Sequence, residues 1–246
     1  MTENRQSPTK ARSAIVQIIK FIKDRKYDEG DRLLSERHFA EKFNITRQAV
    51  REAITTLETL RVVERRRNSG IYLKDFDHES SIEVMVQFAN ADNDLDRETV
   101  QNSLEIRLIL EVNAVQLAAE RRTEADLEAL HAILTNADAK IEKGLSIARE
   151  DEAFHLAIIR STKNSLYSRV VNTFYALNAR RRVIYFKDPE IGRISQGFHW
   201  KILAAIEAKD ADLARRLMND HLKGTAAIWD RLMVKEARAD GAEEKD

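Results

Sequence analysis

Hydrophobic positions in the first 75 residues follow a helical period and then a strand period. Isoleucines recur at spacings of three and four over residues 10–26, which predicts an amphipathic helix. The helical pattern continues to about Leu60 and then changes to a period of about two. Residues 62–66 and 71–74 therefore predict two short strands, and the segment from Arg67 to Gly70 supplies the turn between them. A hairpin directly after a helix is typical of a wing.

Two helices joined by a tight turn are predicted before this hairpin. Ser35 is placed to cap a short helix that ends near Lys42, and Thr46 is placed to cap the next one, which runs to about Leu60. Asn44 lies between them and tolerates the left-handed conformation that such a turn requires. The pattern indicates a helix-turn-helix.

From Ile82 onward the helical period continues nearly to the end of the chain. The predicted helices cover residues 82–90, 97–121, 123–143, 146–161, 165–187, 190–208 and 210–236. The polar segment 76–81 lacks periodicity and is predicted to link two domains. We therefore expect a mainly α protein in which a winged helix-turn-helix (1–75; three helices plus a β-hairpin wing) is followed by an all-α bundle of about six or seven helices (82–246).

Composition narrows the class of protein. The chain has no cysteine, which excludes disulfides and thiolate metal sites, and only 2 prolines and 7 glycines among 246 residues, which favours long helices. No apolar run is long enough to span a bilayer and the first twelve residues are polar, so we expect a cytoplasmic protein without a membrane partner. Residues 1–75 hold 17 basic against 11 acidic side chains, whereas the remainder holds 24 against 30. A basic first domain favours binding to nucleic acid.

The predicted second helix of the helix-turn-helix carries side chains suited to reading DNA. Arg47, Gln48 and Arg51 lie at its N-terminal end, opposite or beside the apolar stripe, and Arg37 lies near the start of the preceding helix. Arginine pairs with guanine or phosphate and glutamine pairs with adenine, so these groups fit the major groove of double-stranded DNA. Any one of them alone would be explained as a solvated helix face.

The stretch from Asp31 to Glu41, followed by the run from Thr46 to Ile54, resembles the winged helix of GntR-type regulators. The resemblance implies that Arg37, Arg47 and Arg51 contact DNA and that the wing tip from Arg67 through Asn68 to Gly70 reaches the minor groove. The sequence departs from the family pattern at Leu34, where proline is usual, and at Asn44, where glycine is commoner.

Four residues in the second half form a candidate metal site. Asp151 and His155 are four residues apart on one predicted helix, so they project from the same face, and His199 and His221 lie among apolar neighbours on two other helices. Three imidazoles and a carboxylate would suit Zn²⁺, Ni²⁺ or Mn²⁺ with positions open for water or ligand. Each histidine taken singly is also explained as a hydrogen-bonded core residue.

The same residues resemble the FCD effector domain, which marks the FadR/FCD branch of the GntR family. The resemblance rests on the run from Asp151 to His155, on Asn164, and on His199 and His221. It implies a divalent metal held by Asp151 and the three histidines at the floor of a ligand cavity. It also assigns Arg107 and Asn164 to effector binding, although Arg107 with Glu111 is equally explained as an intrahelical ion pair. His38, His78 and His131 are predicted to lie at the surface.

These patterns together predict a transcription regulator rather than an enzyme. We expect a homodimer, by family likeness, that binds a palindromic operator and acts as a repressor, with a small organic acid bound at the metal changing the operator affinity. Two alternatives remain open at this stage. One is an architectural DNA-binding protein with a purely structural metal site, and the other is a metalloenzyme tethered to DNA.

Overall fold

A computed structural model describes residues 10–89 and 97–243, with side chains described for 11–89 and 97–229. The chain divides into two compact units, 1–94 and 95–246, which are treated separately below. The first unit contains, in order, α1 (Lys10–Arg25), α2 (Glu36–Phe43), α3 (Arg47–Thr59), β1 (Val63–Arg66), β2 (Gly70–Leu73) and α4 (Ile82–Ala89). The second contains α5 (Arg97–Arg121), α6 (Glu124–Glu142), α7 (Ala148–Ser161), α8 (Ser165–Leu177), α9 (Ala179–Tyr185), α10 (Pro189–Glu207) and α11 (Ala211–Glu243). The mainly α class with a two-stranded wing is confirmed.

The helix-turn-helix is stabilised by the caps that the sequence predicts. Ser35 Oγ accepts a hydrogen bond from the backbone N–H of His38, and Thr46 Oγ1 accepts one from Ala49. Asn44 adopts the left-handed conformation (φ 52°, ψ 47°) between α2 and α3. Each cap satisfies an N–H that the first helical turn leaves without a partner, so both helix starts are fixed locally.

The wing is an antiparallel hairpin with a third segment beside it. Val63 pairs with Leu73 and Arg66 pairs with Gly70 at its two ends. Arg32 forms an isolated bridge with Tyr72, and the N–H of Leu33 donates to the carbonyl of Ile71. The observed strands therefore start or end within one residue of the predicted ones, and the loop before α2 is tied to the outer side of β2.

Helix α4 belongs to the first unit, whereas the sequence assigned residues 82–90 to the second domain. The helix packs against α1, and Lys23 Nζ of α1 lies 5.1 Å from the ring centroid of Phe88. Val84 and Phe88 are buried on this face, which explains why an apolar helix so close to the predicted linker stays with the winged helix. Residue 90 and the N-terminal segment 1–9 lie outside the described residues. The predicted domain limits, with a linker at 76–81, stay a prediction.

The second unit is a bundle in which α5 packs against α7, α10 and α11. Its core contains Leu130, Leu134, Phe154, Ile158, Ile202 and Met218. The predicted capping box of α6 is present, because Thr123 and Asp126 exchange hydrogen bonds between side chain and backbone. Ser146 lies one residue before the N-cap of α7 and accepts a bond from Ala148 N–H.

The prediction of one helix over 165–187 was wrong, because the structure breaks it at Asn178. The backbone of Asn178 leaves the helical region (φ −100°, ψ 5°), and its Nδ2 donates to the carbonyl of Phe174. This local bond offers the backbone an alternative to the continuous helix, which is the usual effect of asparagine inside a helical sequence. The last helix also extends beyond its predicted end at 236, to Glu243.

We predict that Ile202→Ala lowers the free energy of unfolding of the second unit by about 2–5 kcal/mol, because the change leaves a cavity in a closely packed core. Ile202 is fully buried, and Ile194 on the same helix is 47% exposed. Urea unfolding followed by the fluorescence of Trp200 and Trp229 measures the change, and Ile194→Ala is the matched control, expected to change the free energy by less than about 1 kcal/mol. Equal losses for the two variants would contradict the core assignment.

Candidate metal centre and DNA-binding surface

The outer face of α3 presents the predicted DNA-reading side chains to solvent. Arg47, Gln48 and Arg51 are exposed, whereas Val50 and Ile54 of the same helix are fully buried. Gln48 Nε2 donates to Glu52 Oε1 one turn along. Exposed bonds of this kind exchange readily with water or ligand, so these side chains can reorient toward a base edge.

A basic groove separates the start of α3 from the wing. Seven arginines line it: Arg32, Arg37, Arg47, Arg51, Arg65, Arg66 and Arg67. Glu36 holds two of them in position, since its carboxylate lies 3.2 Å from Arg51 Nε and 3.3 Å from Arg65 Nη2. Arg37 of α2 is exposed and pairs with Glu41 at 2.8 Å. Such a concentration of guanidinium groups is the electrostatic footprint expected of a DNA-binding face.

The wing tip has a backbone that restricts the residues it can accept. Arg67 is exposed, Asn68 adopts a left-handed conformation (φ 55°), and Gly70 has φ 144°, a region that side chains rarely adopt. A Cβ at Gly70 would also lie 2.8 Å from Arg32 Nε. The predicted tip residues therefore lie together, and Gly70 allows the Arg32 side chain to cross the wing. Arg32 was not among the predicted contacts, because only the pairing with β2 brings it into the groove.

Asp151, His155, His199 and His221 converge inside the second unit. The first two lie on α7, and the others lie on α10 and α11. All four are buried, and one ligand atom from each lies within 4.8 Å of the other three. His221 Nε2 is 3.3 Å from the Nε2 atoms of both His155 and His199, and Asp151 Oδ1 is 3.6 Å and 3.5 Å from the same two nitrogens. Lone-pair donors from three helices therefore face one small volume.

Burial and mutual repulsion keep two of the imidazoles neutral. Burial, followed by the charge on His155, lowers the pKa of His199 to about 3. Burial and the neighbouring His199 and His155 hold the pKa of His221 well below its ordinary value. For His155, burial opposes protonation, but the adjacent Glu111 outweighs it and raises the pKa. Neutral imidazoles present their lone pairs, which is the form that a metal ion requires.

Two buried carboxylates next to these rings stay ionised. Burial opposes ionisation of Asp151, but its bond with His155 and the charges of the surrounding groups outweigh burial and lower its pKa. Glu111 is likewise buried, and the charge of Arg107, followed by that of His155, lowers its pKa. Asp151 is therefore available as an anionic oxygen ligand.

Glu111 also orients His155 from behind. His155 Nδ1 lies 2.5 Å from Glu111 Oε2, although the two groups are not aligned as a linear hydrogen bond. The other oxygen of Glu111 accepts bonds of 2.6 Å each from Arg107 Nε and Tyr175 Oη. A carboxylate on the far nitrogen of a histidine fixes the ring and its tautomer, as is usual for metal-bound histidines. The sequence indicated Glu111 only as an ion-pair partner of Arg107.

A cavity reaches this cluster at Asp151. It encloses about 590 Å³, its open mouth included, and is lined by Ser103, Leu104, Arg107, Asp151, Phe174, Tyr175, Asn178, Arg181, Arg182, Tyr185, Phe186, Thr225 and Trp229. Its lining combines aromatic and apolar side chains with a few arginines and one carboxylate, which suits a small organic molecule. Arg107 pairs with Glu111, as the ion-pair interpretation expects, and it also lines the cavity; its assignment to effector binding stays a prediction.

Asn164 does not reach the cavity. It is exposed and acts as the N-cap of α8, where its Oδ1 accepts a hydrogen bond from the N–H of Tyr167. Capping accounts for the side chain, and its assignment to effector binding stays a prediction that no contact in the cavity supports. His38 and His78 are exposed, while His131 is half-buried and bonded to Glu207.

Comparison with known families follows the same division of the chain. Residues 10–73 match the family of bacterial regulatory proteins named gntR, and residues 102–224 match the FCD domain. The HTH-type transcriptional regulator LutR of Bacillus subtilis is 32% identical over 207 residues, which cover 82% of this chain and 92% of LutR. The chain belongs to the GntR family. This GntR regulator is a DNA-binding transcription regulator with an FCD effector domain, and neither its family nor its relatives are enzymes.

Further relatives and solved structures agree with this assignment. The Uxu operon transcriptional regulator of Escherichia coli is 31% identical over 204 residues, covering 80% of this chain and 77% of that protein. A solved structure described as Lar, which controls the agr system of Listeria monocytogenes, covers 93% of this chain and is itself covered completely, with a TM-score of 0.60 and 21% identity. The E. coli McbR/YncC structure gives 0.54 and 19% identity over 91% of this chain and 98% of its own. These two structures show a shared fold.

No helix in the described ranges is both long and apolar enough to cross a bilayer.

Several cavity residues of this GntR regulator were not predicted. Tyr175, Arg181, Arg182 and Tyr185 lie on α8 and α9, which the sequence analysis joined into one helix. At about 100° per residue these four side chains fall within an arc of about 120° even on one continuous helix, so the helical spacing itself places them on a common face. The run of three arginines at residues 180–182, next to aromatic residues, was the sequence signal that could have indicated a ligand-binding segment.

We predict that Gly70→Ala weakens operator binding, because the new Cβ meets Arg32 and the backbone conformation becomes strained by about 1–3 kcal/mol. Fluorescence anisotropy with labelled operator DNA measures the affinity, and a several-fold loss is expected. Gly224→Ala on α11 is the control, because its Cβ would meet no atom within 4 Å. If the two variants bind the operator equally well, the proposed role of Gly70 in shaping the wing is wrong.

Proposed function

We propose that this GntR regulator is a metal-dependent sensor of a small organic acid and acts as a repressor. Asp151, His155, His199 and His221 would hold one divalent metal ion, and the acid would bind in the adjoining cavity. The observation that supports this most directly is the convergence of four buried donor atoms on one volume at the wall of a cavity. Binding of the acid would change the affinity for a palindromic operator, which a homodimer would contact through two winged helices.

The donor set fits a divalent ion in spacing and in chemistry. Two ligand atoms at about 2.1 Å from one ion, with angles between tetrahedral and octahedral values, lie about 3.0–3.4 Å apart. The nitrogen pairs at 3.3 Å and the oxygen–nitrogen pairs at 3.5 Å and 3.6 Å are close to that range. Three imidazoles and one carboxylate suit Zn²⁺, Ni²⁺ or Mn²⁺. When bound, such an ion supplies a Lewis-acidic centre for oxygen ligands.

The charges of the chain favour an acidic effector. Arg107 and a divalent ion carry three positive charges, and the ionised Asp151 and Glu111 carry two negative ones. The site thus has one formal positive charge that no group of the cluster neutralises, and a carboxylate would neutralise it. Arg107 lines the cavity and its planar guanidinium can donate to such a carboxylate while it keeps its bond to Glu111.

Coupling between effector and DNA requires that the two bound states differ in how the second unit positions the winged helices. The cavity is walled by α5, α7, α8, α9 and α11, so a bound acid contacts most of the helices of that unit at once. If the acid binds one arrangement of these helices better, it shifts the equilibrium toward that arrangement. The acid then changes the affinity for the operator by the same factor by which the operator changes the affinity for the acid.

We predict that His199→Ala abolishes binding of Zn²⁺, Ni²⁺ and Mn²⁺ at about one ion per chain and lowers the melting temperature of the metal-loaded protein, because the ligand set loses a donor. Isothermal titration calorimetry and thermal unfolding measure the two effects. His131→Ala removes a half-buried histidine outside the cluster and is the control. Unchanged metal stoichiometry in His199→Ala would show that the cluster is not the site.

We predict that an organic acid which raises the melting temperature of the metal-loaded protein also changes its affinity for operator DNA by at least about fivefold, as a typical coupling energy implies. The operator is first selected by the purified protein from random double-stranded DNA, and anisotropy is then measured with and without each acid. Acids that stabilise the protein and leave operator affinity unchanged would favour an architectural DNA binder with a structural metal.

A further inference from the structure

Three guanidinium groups line the cavity, and two of them are paired with carboxylates of the protein. Arg107 Nε lies 2.6 Å from Glu111 Oε1, and Arg182 Nη2 lies 2.5 Å from Glu152 Oε2. These pairs neutralise both arginines within the chain. The third group, Arg181, is different.

Arg181 has neutral neighbours in the part of the chain that the structure describes. Its Nη2 donates to Ser103 Oγ at 2.9 Å, and its guanidinium carbon lies 5.8 Å from the ring centroid of Trp229. Its Nη1 is buried and has no hydrogen-bond partner among the described residues. A buried donor without a partner and a half-buried cation without a counter-ion both cost stability, so an anionic ligand that supplied the partner would be favoured at this position.

The charge persists in spite of burial. Burial lowers the pKa of Arg181 to about 10, so the guanidinium remains protonated at neutral pH. A cation that is held in place, partly desolvated and missing an acceptor binds an anionic oxygen more strongly than a solvated arginine does.

We propose that Arg181 anchors a second anionic group of the effector, and hence that the effector carries an acidic group at each end. This inference rests on the proposed function, in which the first acidic group binds at the metal and Arg107. The second group would be a carboxylate or a phosphate, since both match the two-pronged donor geometry of guanidinium.

The helix α5 sets the distance between the two anchors. Ser103, Arg107 and Glu111 recur every four residues along it, and they contact Arg181, the cavity and His155 in that order. Because a helix rises about 1.5 Å per residue, Ser103 lies about 12 Å along the axis from Glu111 and about 6 Å from Arg107. We therefore expect an effector that bridges the two anchors to be longer than a two- or three-carbon monocarboxylate and to carry an acidic group at each end.

Gluconate, glucarate and 6-phosphogluconate test this directly. They share a hydroxy-acid end and differ at the other end, which is an alcohol, a carboxylate or a phosphate. We expect glucarate or 6-phosphogluconate to bind the metal-loaded protein at least about tenfold more tightly than gluconate in calorimetry, as one charged hydrogen-bonded pair implies. The two acidic arms also distinguish a carboxylate from a phosphate as the second group.

Arg181→Gln should abolish this preference, so that the three compounds bind the variant with similar affinity. Arg180→Gln is the matched control, because it removes the same charge from the neighbouring residue of α9, which is exposed and does not line the cavity. If gluconate binds as tightly as the two-acid compounds, or if Arg181→Gln keeps their preference, the inference is overturned, while the proposed sensing of an acid at the metal survives.

A second measurement decides the matter if none of the three compounds binds. Arg181→Met keeps the aliphatic packing and removes the unpaired charge. If the charge of Arg181 is uncompensated without an anionic ligand, this change raises the melting temperature of the ligand-free protein by at least about 2 °C. If Arg181 instead serves to hold Ser103 and Trp229, the change lowers the melting temperature, and the inference fails irrespective of any ligand. The proposed function is tested separately, by the effect of organic acids on operator affinity.

Discussion

Two carboxylates buried in the second unit impose the strongest constraint on this structure. A desolvated carboxylate is stable only when cations or hydrogen-bond donors surround it, so Asp151 and Glu111 determine much of what can lie near them. Arg107 and Tyr175 donate to one oxygen of Glu111, the His155 ring lies against the other, and the remaining two histidines lie near Asp151. These polar contacts fix the positions of the helices relative to one another. The packing of the apolar helix faces contributes to the same arrangement.

In the first unit, by contrast, the arginines are not enclosed in the interior. Its arginines lie in an open groove, and the ion pairs that Glu36 makes with Arg51 and Arg65 are exposed or partly buried. Exposed pairs contribute little to stability, so they can be exchanged for phosphate or base contacts at small cost. The same kind of side chain is thus available for contact with DNA in one unit and compensates internal charge in the other.

Local rules predicted much of this from the sequence. Ser35, Asn44 and Thr46 act through bonds within four residues of themselves, so the helix-turn-helix followed from short patterns, and the four-residue spacing of Asp151 and His155 placed both on one face. The rest depends on contacts between distant segments. Arg181 reaches Ser103 of α5 and Arg182 reaches Glu152 of α7, and these pairings bring both arginines to the cavity. Those outcomes are decided by tertiary packing, which a single sequence does not display.

The row of Ser103, Arg107 and Glu111 on α5 has a geometric consequence. Four residues turn an α-helix by about 400°, so each step of the row shifts by about 40° around the axis, and the two ends face directions about 80° apart. Ser103 therefore meets Arg181 on α9, while Glu111 meets His155 on α7 and Tyr175 on α8. A small rotation of α5 about its own axis moves both ends in the same rotational sense. The contacts of Ser103 with α9 and those of Glu111 with α7 and α8 therefore change together, and neither set can adjust alone.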